Sequence, residues 1–98
     1  NNTDPEVYIV NLGDKARLLA FSTAERLRDN NIKTSLNIEG SSFKSQMKKA
    51  DKSGAEIALI IGDEEADKNQ IQVKFLRNEG LQCAVEVENI SRYIKENL

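Results

Sequence analysis

Residues 55–61 read Ala55-Glu56-Ile57-Ala58-Leu59-Ile60-Ile61, the most hydrophobic run in the chain. Five consecutive apolar residues fall far short of the roughly 20 needed to span a membrane, and they suit a single strand. A strand that is apolar on both alternating sides needs cover on both faces, so helices are expected above and below it. Just before it, residues 43 to about 52 carry a helical pattern, with Phe43, Met47 and Ala50 at i, i+4 and i+7. Ser42 suits the start of that helix and Ser53-Gly54 its end. Further back, residues 33–38 alternate like a half-buried strand. Residues 15 to about 29 form a helix with Ala16, Leu19, Ala20, Phe21, Thr23, Ala24 and Leu27 on its apolar side. Asp14 is the expected N-cap and Asn30-Asn31 the stop. Val7-Tyr8-Ile9-Val10 is a short run of strand formers.

Forward of the apolar strand, Gly62-Asp63-Glu64-Glu65-Ala66-Asp67 reads as an acidic turn. Residues 71–76 alternate again, and Asn78-Glu79-Gly80 leads through a hairpin loop into residues 81–87. Cys83, inside that run, reads as a small buried hydrophobe. A last helix from about 89 to 97 buries Ile90, Tyr93 and Ile94. The order is β-α-β-α-β followed by β-β-α. Strands separated by helices pair in parallel through right-handed crossovers, and a hairpin adds antiparallel pairing. The expected fold is α/β: a three-layer α/β/α sandwich around a five-stranded mixed sheet.

The whole is one domain. Its 98 residues, 39% hydrophobic and 31% charged, are enough for one core and not for two. Residues 7–98 form the domain, and the polar residues 1–6, which include Pro5, read as a linker or boundary. No signal-peptide core follows a basic start. With one Cys and no His, an internal disulfide, a Cys/His zinc site and a Ser-His or Cys-His pair are all excluded. Fourteen basic residues against 16 acidic ones give a net charge of -2, which argues against a strongly basic nucleic-acid clamp.

The charge is unevenly placed, however. Lys44, Lys48 and Lys52 recur at i, i+4 and i+8, a ridge that suits a phosphate backbone or simply a solvated helix face. Asp63, Glu64, Glu65 and Asp67 form an acidic knot without calcium-loop spacing, so no metal site is expected. Gly40-Ser41-Ser42 opens a helix but lacks the Gly-Lys-Ser of a phosphate-binding loop. Asn11-Leu12-Gly13-Asp14 lacks the glycines of a dinucleotide fingerprint. No second group converges with any one carboxylate to make a catalytic acid/base pair.

Residues 43–55 follow the pattern Phe-Lys-x-Gln-x-x-x-Ala-Asp-x-x-Gly-Ala. In this they resemble the second helix of the anticodon-binding domain of class II aminoacyl-tRNA synthetases, the histidyl branch in particular. Ala58-Leu59-Ile60-Ile61 and the Gly62-x-x-Glu65 turn are similar to that family's next strand and turn. Val73-Lys74-x-Leu76-Arg77 is similar to its following strand, and Glu25-Arg26-Leu27-Arg28 to the end of its first helix. The resemblance runs from about Val7 to Leu98. Phe75 stands where the family usually has Asp, and Glu64 and Ala66 vary the turn.

The resemblance implies the five-stranded mixed fold and recognition of the anticodon of tRNA(His). It implies Asn11, Glu65 and Lys74 as anticodon-binding residues, with Lys44, Gln46 and Arg77 matching the same pattern. Lys48 and Lys52 would add phosphate contacts. It also implies a histidine-tRNA ligase whose catalytic domain precedes this one and is absent from these residues. That domain would use ATP with Mg²⁺ to charge the tRNA, in a cytoplasmic homodimer; no cofactor is expected in this domain, and no membrane. A competing expectation is a protein-interaction module in a synthetase-related regulator or accessory subunit. A receiver-like signalling domain would need an Asp at a strand end, where Asn11 and Gly62 stand.

Overall fold

A computed structural model of the chain describes residues 3–78 and 80–98. The elements follow as β1 (Val7–Leu12), α1 (Asp14–Asp29), β2 (Thr34–Leu36), α2 (Phe43–Lys52), β3 (Ile57–Gly62) and α3 (Asp63–Lys68). β4 (Gln70–Phe75), β5 (Gln82–Glu86), a 3-10 turn (Val87–Asn89) and α4 (Ile90–Asn97) complete the chain. The strands lie in the order β2-β1-β3-β4-β5. β1 pairs in parallel with β2 and β3, while β4 is antiparallel to both β3 and β5. The five-stranded mixed sheet is therefore as expected.

Strand alternation divides the apolar residues between two faces. Val7, Ile9, Ile57, Leu59, Ile61, Ile71, Val73 and Val85 form one core with α1 and α4. α1 meets them with Ala16, Ala20 and Ala24, small residues at i, i+4 and i+8 that let the helix lie close to the sheet. α3 packs beside α1, and Ile90 and Ile94 of α4 close the far end. On the opposite face α2 alone packs against β1. Beyond α2 that face stays open over β4 and β5, where Gln82, Ala84 and Glu86 are exposed. The layers are unequal, three helices against one.

Several local expectations change. Residues 63–68 are a helix and not a turn. Gly13, not Asp14, holds the N-cap position of α1 at φ 109°, with no cap from its own neighbourhood. The first turn is instead satisfied from α3, where Asp63 Oδ1 accepts the Ala16 N–H at 3.1 Å. Phe21 is not in the core but 48% exposed, because the buried stripe of α1 follows residues 16, 20, 23, 24 and 27. β2 stops at Leu36, and Ile38 is exposed. In α2 the buried residues are Gln46 and Ala50, while Phe43 is exposed. Cys83 is exposed on the edge strand, its Sγ 3.2 Å from the Tyr93 hydroxyl. The Glu6 N–H donates to Lys33 O at 2.8 Å and its carbonyl accepts from Glu56 N at 3.1 Å, so the pairing around β1 reaches back to residue 6. Asn1, Asn2 and the hairpin residue Glu79 lie outside the described residues.

A Cβ on Gly13 would lie 2.2 Å from Asp63 Oδ1, on a backbone that L-residues rarely adopt. Gly13→Ala is expected to cost about 2–4 kcal/mol, combining backbone strain with loss of the cap. Asp63→Ala should cost about 1 kcal/mol. Urea unfolding of the single and double variants should show the two losses to be less than additive, since both break the same contact.

Candidate functional site

β1 and β3 are neighbours and end together, with Leu12 opposite Gly62. The connections from β1 to β2 and from β2 to β3 run over opposite faces through α1 and α2. The crevice beyond these strand ends is thus where an open α/β sheet offers free polar groups. Asn11 sits there, almost buried, its Nδ2 donating to Asn37 O at 2.8 Å. Asn37 is fixed in turn, donating to the Tyr8 hydroxyl at 3.2 Å and accepting from Glu39 N at 3.3 Å.

Gln46 holds this arrangement from behind. Its Oε1 accepts the Asn11 N–H at 2.9 Å, and its Nε2 donates to Asn11 O and Ser41 O, each at 2.8 Å. β2 has ended by this point, so the side-chain amide continues the ladder where a backbone would. Gln46 is fully buried. It positions Asn11 and the start of α2 and has no surface to offer a base.

The acidic knot is largely used internally. Asp63 caps α1, and Glu65 Oε1 accepts the Gly62 N–H at 2.9 Å, stapling the start of its own helix. Asp67 pairs with Lys15 at 2.9 Å and Glu64 with Lys68 at 3.2 Å. The bond and charge of Asp67 hold the Lys15 ammonium above its ordinary value. Glu65 is half-buried beside the carboxyl end of β3, and among the described residues its second carboxylate oxygen has no hydrogen-bond partner. Among the described residues no group of three or more His, Cys, Asp or Glu is placed to hold a metal.

The basic residues gather elsewhere. Lys44, Lys48 and Lys74 line an open groove of about 510 Å³ between α2 and β4, with Phe43, Met47 and Leu76. Lys74 lies opposite Ala58, four residues back along β3 from Gly62, roughly 13 Å from the strand ends. The structure therefore separates Lys74 from Asn11 and Glu65. Arg77 is turned to the end of α2, donating to the Asp51 carboxylate at 3.2 Å and to Asp51 O at 2.9 Å. Lys52 is exposed outside the groove. A smaller cavity of about 170 Å³ opens at the strand ends between α1 and the β2–α2 loop, lined by Asn11, Asn37, Arg17, Phe21 and Ile38 among others. Arg17 and Phe21 were not expected at a site. Their i, i+4 spacing on α1 was the available signal.

These features define an α/β module whose polar groups gather at the carboxyl ends of its parallel strands and along one basic groove. A family model described as "Anticodon binding domain" matches residues 6–97, and the chain belongs to that family. It is 54% identical over 78 residues to a histidine--tRNA ligase of Methylobacillus flagellatus, covering 80% of this chain and 19% of the relative. It is 45% identical over 94 residues to that of Aromatoleum aromaticum, covering 96% and 22%. The chain thus spans about a fifth of the length of the relatives it matches. Histidyl-tRNA synthetase of S. aureus superposes with a TM-score of 0.85 at 33% identity, over 94% of this chain and 27% of that one. The RNA binding domain of threonyl-tRNA synthetase from Cryptosporidium parvum, at 12% identity and a TM-score of 0.85 over 94% and 23%, shares the fold.

Gln46→Ala is expected to destabilise the domain by about 2–4 kcal/mol, because it strands a buried N–H and two carbonyls. A lowered urea midpoint with an unchanged slope would register this. The Glu39 carboxyl is held below the usual carboxylate range by the hydrogen bond and charge of Lys49. A folded value below the unfolded one means that the pair contributes above a pH of about 4.3 and is lost as the pH falls through the folded value. An NMR titration should find the Glu39 midpoint low, and Lys49→Ala should raise it.

Proposed function

We propose that this domain recognises the anticodon loop of tRNA(His) for a histidine-tRNA ligase. The observation that carries the reading is the groove that brings Lys44, Lys48 and Lys74 together on the open side of the sheet. Membership of the anticodon-binding family supports RNA as its partner, and the histidine--tRNA ligase relatives support the amino-acid branch. Anticodon bases are unpaired and can be splayed from the stack, so their edges are open to side chains. Asn11 and the open oxygen of Glu65 read base edges at the strand ends, Glu65 accepting from a base N–H. Lys44, Lys48 and Lys74 hold phosphates, with Lys52 adding charge at the rim. Arg77 contributes by steadying Asp51, and Gln46 by steadying Asn11. A catalytic part outside these residues activates histidine with ATP and Mg²⁺, in a cytoplasmic homodimer.

Fluorescence anisotropy with a tRNA(His) anticodon stem-loop tests this. Binding to the cognate loop should exceed binding to a loop of swapped anticodon, and Glu65→Ala should reduce that preference. Lys44→Ala and Lys74→Ala should weaken both loops alike, each lowering the slope of log affinity against log salt by about 0.7. Equal affinity for both loops, or binding indifferent to salt, would sink the proposal.

A further inference from the structure

We propose that the cavity beside Asn11 seats one splayed-out nucleobase, stacked on Phe21, with Arg17 engaging the phosphate or the outer face of that base. The inference rests on the anticodon reading above and adds a subsite, with Arg17 and Phe21 as its recognising residues. Its 170 Å³ is below the roughly 300 Å³ at which small-molecule pockets begin, so it suits a single planar ring. Its walls are apolar and half open, Phe21 being 48% exposed and Ile38 72%. Its floor is polar and rigid, because Asn11 and Asn37 are locked to each other and to the strand ends. With the Asn11 Nδ2 committed to Asn37 and its backbone carbonyl to Gln46, the side-chain Oδ1 of Asn11 is the group left to accept from a base N–H.

Arg17 supplies the independent observation. Of the five arginines, Arg26, Arg28, Arg77 and Arg92 each donate hydrogen bonds within the fold. The Arg17 guanidinium, exposed at the rim of this cavity, has no hydrogen bond or ion pair among the described residues. A guanidinium left unpaired beside an exposed aromatic ring has the chemistry of a phosphate clamp or a stacking plane. The one acid among the described residues of the lining, Glu39, is held by Lys49, so little negative charge opposes an RNA strand there.

The test uses the 98-residue chain and the same stem-loop, carrying 2-aminopurine at each loop position in turn. One position should show quenching on binding that Phe21→Ala abolishes. Phe21→Ala should weaken binding by at least about fivefold, the lower end for loss of one stacked base. Arg17→Gln should weaken it and lower the salt slope. Leu18→Ala, 74% exposed one residue away and outside the lining, should leave binding unchanged. Thermal unfolding of each variant excludes loss of fold, and Phe21→Trp, which keeps an aromatic face for stacking, should retain binding. If Lys74→Ala weakens binding while Phe21→Ala and Arg17→Gln stay within twofold, the subsite is wrong and the anticodon reading stands. If Leu18→Ala weakens binding as much as Phe21→Ala, the patch is a general contact surface and the base pocket is wrong. If the unaltered chain binds no loop at all, both proposals fall together.

Discussion

Everything in this domain leans on β1, which is paired along both edges and covered on both faces, yet whose neighbour β2 is only three residues long. A six-residue central strand beside so short a partner would leave buried backbone groups unmatched. Asn37 N extends the pairing by one bond to Ile9 O, and the Gln46 amide then takes up both polar groups of Asn11. A single side chain from α2 thus ends the sheet cleanly at the point where the crevice begins. It also ties α2 to the strand it covers, so the placement of Lys44 and Lys48 follows from the same contact.

The acids and bases divide their labour. The knot at residues 63–67 is spent on cap, staple and ion pairs, which holds α3 against α1 and ends β3. The lysines of α2 and β4 face a groove in which Asp51, the one acid among the described residues of the lining, is engaged by Arg77. A net charge of -2 is therefore compatible with a basic binding surface, because many of the negative charges are answered within the fold.

Element type and order were legible because β3 and α2 carry strong, unmixed patterns, and the sheet follows once parallel and antiparallel segments are told apart. What escaped were features set by distant partners. The helix at residues 63–68 was hidden by charge, since its stability comes from Gly62, Ala16 and Lys15 and not from an apolar stripe. Phe21 was placed inside because it is large and apolar, yet the alanines that bring α1 close to the sheet leave room only along their own stripe. Gln46 fitted a family pattern, but the pattern cannot say whether an amide faces a base or a backbone. Here the fully buried side chain and its three bonds give the answer.

The cap that Asp63 gives to α1 also bears on the order in which the molecule comes together. The acceptor lies 47 residues downstream of the N–H it satisfies. During synthesis α1 leaves the ribosome with its first turn incomplete, and gains that bond only when β3 has been made and laid against β1. The crevice at the strand ends and the helix that borders it are completed in the same event.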